Sequence, residues 1–217
     1  MKIHHLSAKN TIMNQFLGEI RNVAIHTDRM RFRRNIERIG EIMAYEISKE
    51  LEYTAIDIQT PLGIKQTSKI KHPIVITSIL RAGLPFHQGF LNIFDNAENG
   101  FISAARYHSN ADDAFEIKVE YEAIADITSK YVVIADPMLA TGQSIVAVFN
   151  KVIEKGYPKE IHLAVVIAAP EGIAHLEKEL PENCHLWIAS LDEKLDDRFY
   201  IVPGLGDAGD LAYGPKL

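Results

Sequence analysis

The chain has 217 residues, 47% of them hydrophobic and 24% charged, enough to bury a full core and within the range of one α/β domain. Its formal net charge of -6, with no run of Lys or Arg, offers no polyanion-binding face and excludes nucleic acid and anionic membranes as expected partners, so a phosphate ligand needs local donors or a metal. The lone cysteine, Cys184, excludes an intrachain disulfide and fits a reducing cytoplasm; no stretch approaches the ~20 apolar residues of a membrane span, and Met1 to Asn10 carries no apolar export signal.

In chain order, a short helix is expected around Ile12 to Ala24. A long amphipathic one follows, with Phe32, Ile36, Ile39, Met43, Ile47 and Leu51 at steps of three or four and Arg31, Arg33, Arg34 and Arg38 around its start. After this helical part, residues 1–52, the texture changes. Short apolar or β-branched runs (Tyr53 to Ile58, Ile74 to Ile79, Phe101 to Ala105, Tyr131 to Ala135, Leu163 to Ala168, Leu186 to Ala189) alternate with helical patterns at Leu84 to Phe94, Ser144 to Lys155 and Gly172 to Leu180. Repeated strand-then-helix order predicts an α/β fold, a mainly parallel central sheet covered by helices on both faces. Phe115 to Tyr121 alternates instead like half of a solvent-facing hairpin, a hood over the sheet. With no repeat, linker or low-complexity tract, one domain over 1–217 is expected, its α/β core being 53–217.

In such sheets ligands gather beyond the carboxyl ends of the strands. The buried-strand pattern Tyr131 to Ala135 runs straight into Asp136-Pro137-Met138-Leu139-Ala140-Thr141-Gly142-Gln143-Ser144 and then an amphipathic helix. A helix N-terminus offers unpaired N–H groups and the positive end of the macrodipole; Thr141 and Ser144 add hydroxyls, and Gly142 lets the backbone approach an anion. Asp136, at the strand edge, is placed to accept hydrogen bonds from sugar hydroxyls. The unit reads as a sugar-phosphate loop, and local chemistry alone leaves an ordinary capped strand-to-helix connection equally open.

Gly204-Leu205-Gly206-Asp207-Ala208-Gly209 satisfies G-x-G-x-x-G, yet the eight residues after Gly209 leave no room for the βαβ unit that a dinucleotide site requires. Asp192, Glu193, Asp196 and Asp197, mixed with Lys194 and Arg198, read as a solvated connection. The nine histidines lack H-x-x-x-H spacing, so no structural zinc is expected.

Asp136-Pro-Met-Leu-Ala-Thr-Gly142 closely resembles the donor-binding loop of uracil phosphoribosyltransferases. Five further segments resemble that family in the same order: Phe32-Arg33-Arg34-Asn35, Thr60-Pro61-Leu62-Gly63, Ile79-Leu80-Arg81-Ala82-Gly83-Leu84, Ala168 to Gly172, and Tyr200 to Asp210. The likeness runs from about Arg29 onward. It implies a type I phosphoribosyltransferase fold and transfer of 5-phosphoribose from 5-phosphoribosyl 1-diphosphate to N1 of uracil, giving UMP. It further implies donor contacts from Arg81, Arg106, Asp136 to Ser144 and Asp207, with Asp136, Arg81, Arg106 and Asp207 bearing on catalysis. Uracil is expected on main-chain groups of Ile201, Gly206 and Ala208, beside Asp207. Mg²⁺ is expected on the substrate diphosphate, with Asp207 as a metal-water contact and no dedicated protein cage. A homodimer or larger assembly, a cytoplasmic setting and, as in some members, a GTP effector complete what the resemblance implies.

The chain departs from the family pattern at the diphosphate end. Gln143 stands where a second glycine is usual, at a cost of about 1 kcal/mol or more if that position needs a positive φ. Ser78 stands where proline is usual, Pro85 to Gln88 differs, and Asn110 to Glu122 matches poorly, so that the lysine the family has there is not placed in this sequence. Two alternatives accompany the main reading: a diverged phosphoribosyltransferase for another base, and a catalytically weak nucleotide-sensing paralogue.

Overall fold

A computed structural model describes the backbone of residues 1–108 and 115–216, with side chains except those of 105–108 and 115–118. In chain order the elements are β1 (Lys2–His5), a 3₁₀ turn (Leu6–Ala8), α1 (Ile12–Arg21), α2 (Arg29–Ser48), β2 (Tyr53–Thr60), β3 (Gly63–Ile70), β4 (Ile74–Leu80), α3 (Gly83–Leu91), β5 (Glu98–His108), β6 (Phe115–Ala123), β7 (Tyr131–Ala135), β8 (Met138–Leu139), α4 (Gln143–Ile153), β9 (Glu160–Ala168), α5 (Pro170–Glu179), β10 (Cys184–Leu191), β11 (Lys194–Leu195), β12 (Ile201–Val202) and α6 (Ala208–Tyr213).

The main sheet runs β1-β10-β9-β7-β4-β5-β6, with the short β8 beside β9; every pairing is parallel except β5 with β6. The expected mainly parallel sheet is therefore present, and Phe115–Ala123 forms the antiparallel hairpin with β5. Its central strands are apolar throughout because both faces are covered. Alternate residues divide between two cores: Ile74, Ile76, Tyr131 and Val133 pack with α1, α2 and α3, while Val75, Val132, Ile134 and Leu163 pack with α4 and α5. Each such fully buried side chain contributes on the order of 1.5–3 kcal/mol.

Chain direction fixes where chemistry can gather. From β4 the chain passes through α3 to β5 on one side; from β7 it passes through α4 to β9 on the other. The loops after β4 and β7 thus diverge, opening a crevice at the carboxyl ends of the two neighbouring strands.

The first three strands depart from the sequence reading. Tyr53–Thr60 is a strand, but it pairs antiparallel with Gly63–Ile70 in a separate two-stranded hairpin rather than joining the main sheet. The polar β3 is exposed along nearly its whole length and Leu62 at the turn is 100% exposed, so no core face marked it. Lys2–His5 adds a parallel edge strand beside β10.

On the α2 face of that edge, rings line up. His4 stacks on Trp187 with centroids 3.7 Å apart, His4 Nε2 and His185 Nδ1 share a hydrogen bond of 3.2 Å, and Trp187 Nε1 donates to His162 Nδ1 at 3.1 Å. Desolvation pushes His162 down to about 3 from an ordinary 6.5 and lowers His4 and His185 as well. A depressed histidine lets the unfolded chain bind protons that the folded one refuses, so stability is full above 6.5 and is lost as pH falls toward about 3. The melting temperature is expected to drop through that window, and His162→Phe to flatten the slope in a thermal scan across pH; an unchanged slope contradicts the assignment.

Candidate functional site

The crevice between β4 and β7 holds a cavity of ≈ 230 Å³ lined by Asp136, Met138, Ala140, Thr141, Gly142 and Ser144 from the β7–α4 loop, with Ile79, Ala104, Ile145, Asp207 and Lys216. A more open hollow of ≈ 420 Å³ at Ala24, Ile25, Thr27, Asp28 and Arg31 gathers one acid and one base only and lies on the α1–α2 connection and the first turn of α2. The strand-end cavity is where donors and acceptors converge.

The loop's shape follows from its sequence. β7 ends when Asp136 replaces the apolar run, and the Asp136 carboxylate accepts from the N–H of Met138 at 3.2 Å, turning the chain back. Gly142 caps α4 with a left-handed φ of 84°, and no side chain caps the helix. The first N–H groups of α4, unlike those of a helix capped by Ser or Asp, are therefore left for something else to satisfy. Behind the loop, α5 approaches so closely that a Cβ on Gly172 would collide with the carbonyl of Ala140.

Of the sequence-derived residues, the fold brings Asp136, Met138, Ala140, Thr141, Gly142, Ser144 and Asp207 to this cavity. Pro137 and Leu139 are buried and Gln143 is exposed, none of them lining it. Gln143 is the first residue of α4, and the positive-φ residue is its neighbour Gly142, so the feared strain does not arise. Asp207 sits at the N-cap of α6 and accepts from the N–H of Asp210 at 2.9 Å. Ile201, Gly206 and Ala208 lie on the chain that leads past the cavity from β12 into α6.

Arg81 follows β4 and reaches across to that terminal segment. Its Nη2 donates to Asp210 Oδ1 at 3.0 Å and to the Gly214 carbonyl at 3.2 Å, while its Nε is buried with no hydrogen-bond partner among the described residues. A buried unsatisfied guanidinium N–H is costly unless a ligand completes it. Arg106 falls on β5 opposite Ile117 in register; its side chain lies outside the described residues. So does the stretch 109–114 within the poorly matching segment.

Sequence reasoning missed the brace that holds the terminal segment. Asp192, read as solvated, is 8% exposed: both its oxygens accept from Arg21, and Oδ2 also takes the N–H of Gly204 at 2.9 Å. Arg21 donates in turn to the Gly204 carbonyl at 2.8 Å, and Arg33 to that of Ala212 at 2.7 Å. The acidic run looked polar because its partner lies far away in sequence. Lys216 gave no signal at all.

The remaining acceptors suit a hard cation. Asp136, Asp207, Thr141 and Ser144 all line this cavity, and of them the Asp207 carboxylate is the group that would hold Mg²⁺ beside a bound diphosphate. At the opposite end of the sheet His4, Glu50 and His185 also lie together, but Lys2 already pairs with the Glu50 carboxylate and the two rings bond each other.

Residues 7–215 match the family model described as uracil phosphoribosyltransferase. A protein of that name from Porphyromonas gingivalis is 49% identical over 217 residues, covering 100% of both chains, and one from Pyrococcus furiosus is 38% identical over 206 residues, covering 94% of this chain and 86% of the other. Among solved structures, the AQ2163 protein from Aquifex aeolicus superposes with a TM-score of 0.87 at 29% identity and 98% coverage of both. A hypoxanthine phosphoribosyltransferase from Staphylococcus aureus, 15% identical with a TM-score of 0.51 over 85% of this chain and 83% of that one, shares the fold.

Proposed function

The chain belongs to the uracil phosphoribosyltransferase family, and from that premise we propose how its own residues divide the work of its reaction, which joins uracil to 5-phosphoribosyl 1-diphosphate and yields UMP and pyrophosphate. One observation carries the assignment: Asp136, the uncapped start of α4 and Asp207 face one cavity at the crevice between diverging loops.

The 5′-phosphate rests on the N–H groups that open α4, supplemented by the hydroxyls of Thr141 and Ser144. Asp136 accepts the ribose hydroxyls. Pro137, Met138, Leu139, Ala140, Gly142 and Gln143 hold the loop that surrounds them. Uracil lies against the main chain of Ile201, Gly206 and Ala208, which the Arg21–Asp192 brace keeps in place. As the C1–O bond breaks, the ribose gains positive character and charge builds on the leaving diphosphate, which Arg81, through its unpartnered Nε, and Arg106 stabilise. Mg²⁺ at the diphosphate, with Asp207 as its protein contact, supplies further charge neutralisation when bound. The protein's share is placement of reacting groups in a preformed site. A homo-oligomer, a GTP effector and a cytoplasmic setting belong to the same reading; among the described residues no helix is long and apolar enough to cross a membrane.

Purified protein with uracil, donor and Mg²⁺ is expected to form UMP, and chelation of the metal to abolish turnover. Product with another base alone would point to a diverged enzyme; UMP binding without turnover would point to a sensor. A second expectation concerns the brace. Asp192→Ala leaves the Arg21 charge partly buried and unpaired, and is expected to cost about 3 kcal/mol of stability. It should also raise KM for uracil more than KM for the donor; equal rises would separate the brace from the base site.

A further inference from the structure

Ser78 and the stretch Pro85 to Gln88 stand out separately in the sequence; the fold makes them one contact. Ser78 is fully buried on β4, and its Oγ lies 2.7 Å from Nδ1 of His87, itself 3% exposed on α3. Nε2 of the same ring lies 2.7 Å from Oδ1 of Asn99, near the start of β5.

Directions of donation follow. Asn99 Nδ2 donates to the carbonyl of Ala97 at 3.2 Å, which turns Oδ1 toward the ring. That oxygen can only accept, so Nε2 carries the proton, Nδ1 is bare, and the Ser78 hydroxyl donates to it. Burial holds His87 below its ordinary 6.5, outweighing the hydrogen bond to Asn99 that pulls the other way, and the ring stays neutral. Phe101 packs against it with centroids 4.7 Å apart. Because Ser78 is fully buried, no substrate reaches its hydroxyl, and the arrangement serves position rather than attack.

What it positions is the start of α3. A Cβ on Gly83 would lie 3.2 Å from both the Ser78 Cβ and the carbonyl oxygen of Ala135, the residue before Asp136. Gly83 and His87, one turn apart on one face, therefore seat the helix on β4 and β7. Between Leu80 and Gly83 stand Arg81 and Ala82 alone, and the N–H of Leu84 donates to the Arg81 carbonyl at 3.2 Å.

We propose that Ser78, His87 and Asn99 are positioning residues for Arg81 and hence for the diphosphate end of the donor; this rests on the role given to Arg81 above. Ser78→Ala and His87→Leu are each expected to raise KM for the donor about tenfold, with kcat and KM for uracil within about twofold of wild type. Because the two act through one contact, the double variant should be no worse than the weaker single one. Asn99→Leu, at an exposed position that tolerates change, moves donor KM the same way, and His87→Gln, which keeps a donor toward Asn99, recovers part of the loss. A lower melting temperature with donor KM unchanged, or equal rises in both KM values, overturns the proposal. Arg81→Met run beside them separates the two readings: if it leaves donor KM unaltered, the fault lies in the role of Arg81 and not in the relay.

Discussion

Replacing Asp136 with Asn is expected to lower kcat by roughly a hundredfold to a thousandfold while leaving the melting temperature nearly unchanged. The side chain accepts the N–H of Met138, and an amide oxygen supplies that acceptor as well as a carboxylate does. Under the role proposed for Asp136, removing the negative charge is expected to weaken the hold on the ribose hydroxyls and to take an anion from beside the carbon that becomes positive as the C1–O bond breaks. Thermal unfolding and steady-state turnover measured on the same preparation decide the matter. Parallel losses of stability and rate would make Asp136 a loop-building residue only.

Gly172→Ala should produce a different pattern, with both quantities falling. The added methyl collides with the Ala140 carbonyl and lies 3.0 Å from two Leu139 side-chain carbons, so α5 or the loop has to shift. Overpacking of this kind costs about 1–3 kcal/mol. Displacing the backbone that frames the phosphate by a fraction of an ångström to an ångström is expected to weaken catalysis by up to about a hundredfold. The discriminating readout is donor KM: a variant that loses stability yet binds the donor normally would mean that the loop does not depend on this contact.

The parts that were legible in the sequence are those whose signal is local. Tyr131 to Ala135 is a continuous apolar run ended by Asp136-Pro137, and Ile145, Val148, Phe149 and Val152 recur at helical spacing after Gly142, so the strand, loop and helix could be read in place. The long helix at Arg29–Ser48 announced itself in the same way. The unread parts depend on partners distant in the chain. Gly63–Ile70 has hardly any buried face, so it lacks the alternation that marks a strand, and Tyr53–Thr60 showed its period without showing which strand it would pair with. Asp192 looked like part of a solvated acidic run because Arg21, which buries it, is 171 residues away. Ser78 and His87 were each visible as departures from the family pattern. Only the way α3 folds back onto β4 revealed that they answer each other.

The most direct measurement is a crystal structure of the protein with UMP. The phosphate is expected to accept hydrogen bonds from the N–H groups at the start of α4, with the ribose hydroxyls on Asp136 and the base beside Gly206 and Ala208. A nucleotide whose phosphate lies away from that helix start, or whose ribose faces a group other than Asp136, would contradict the account.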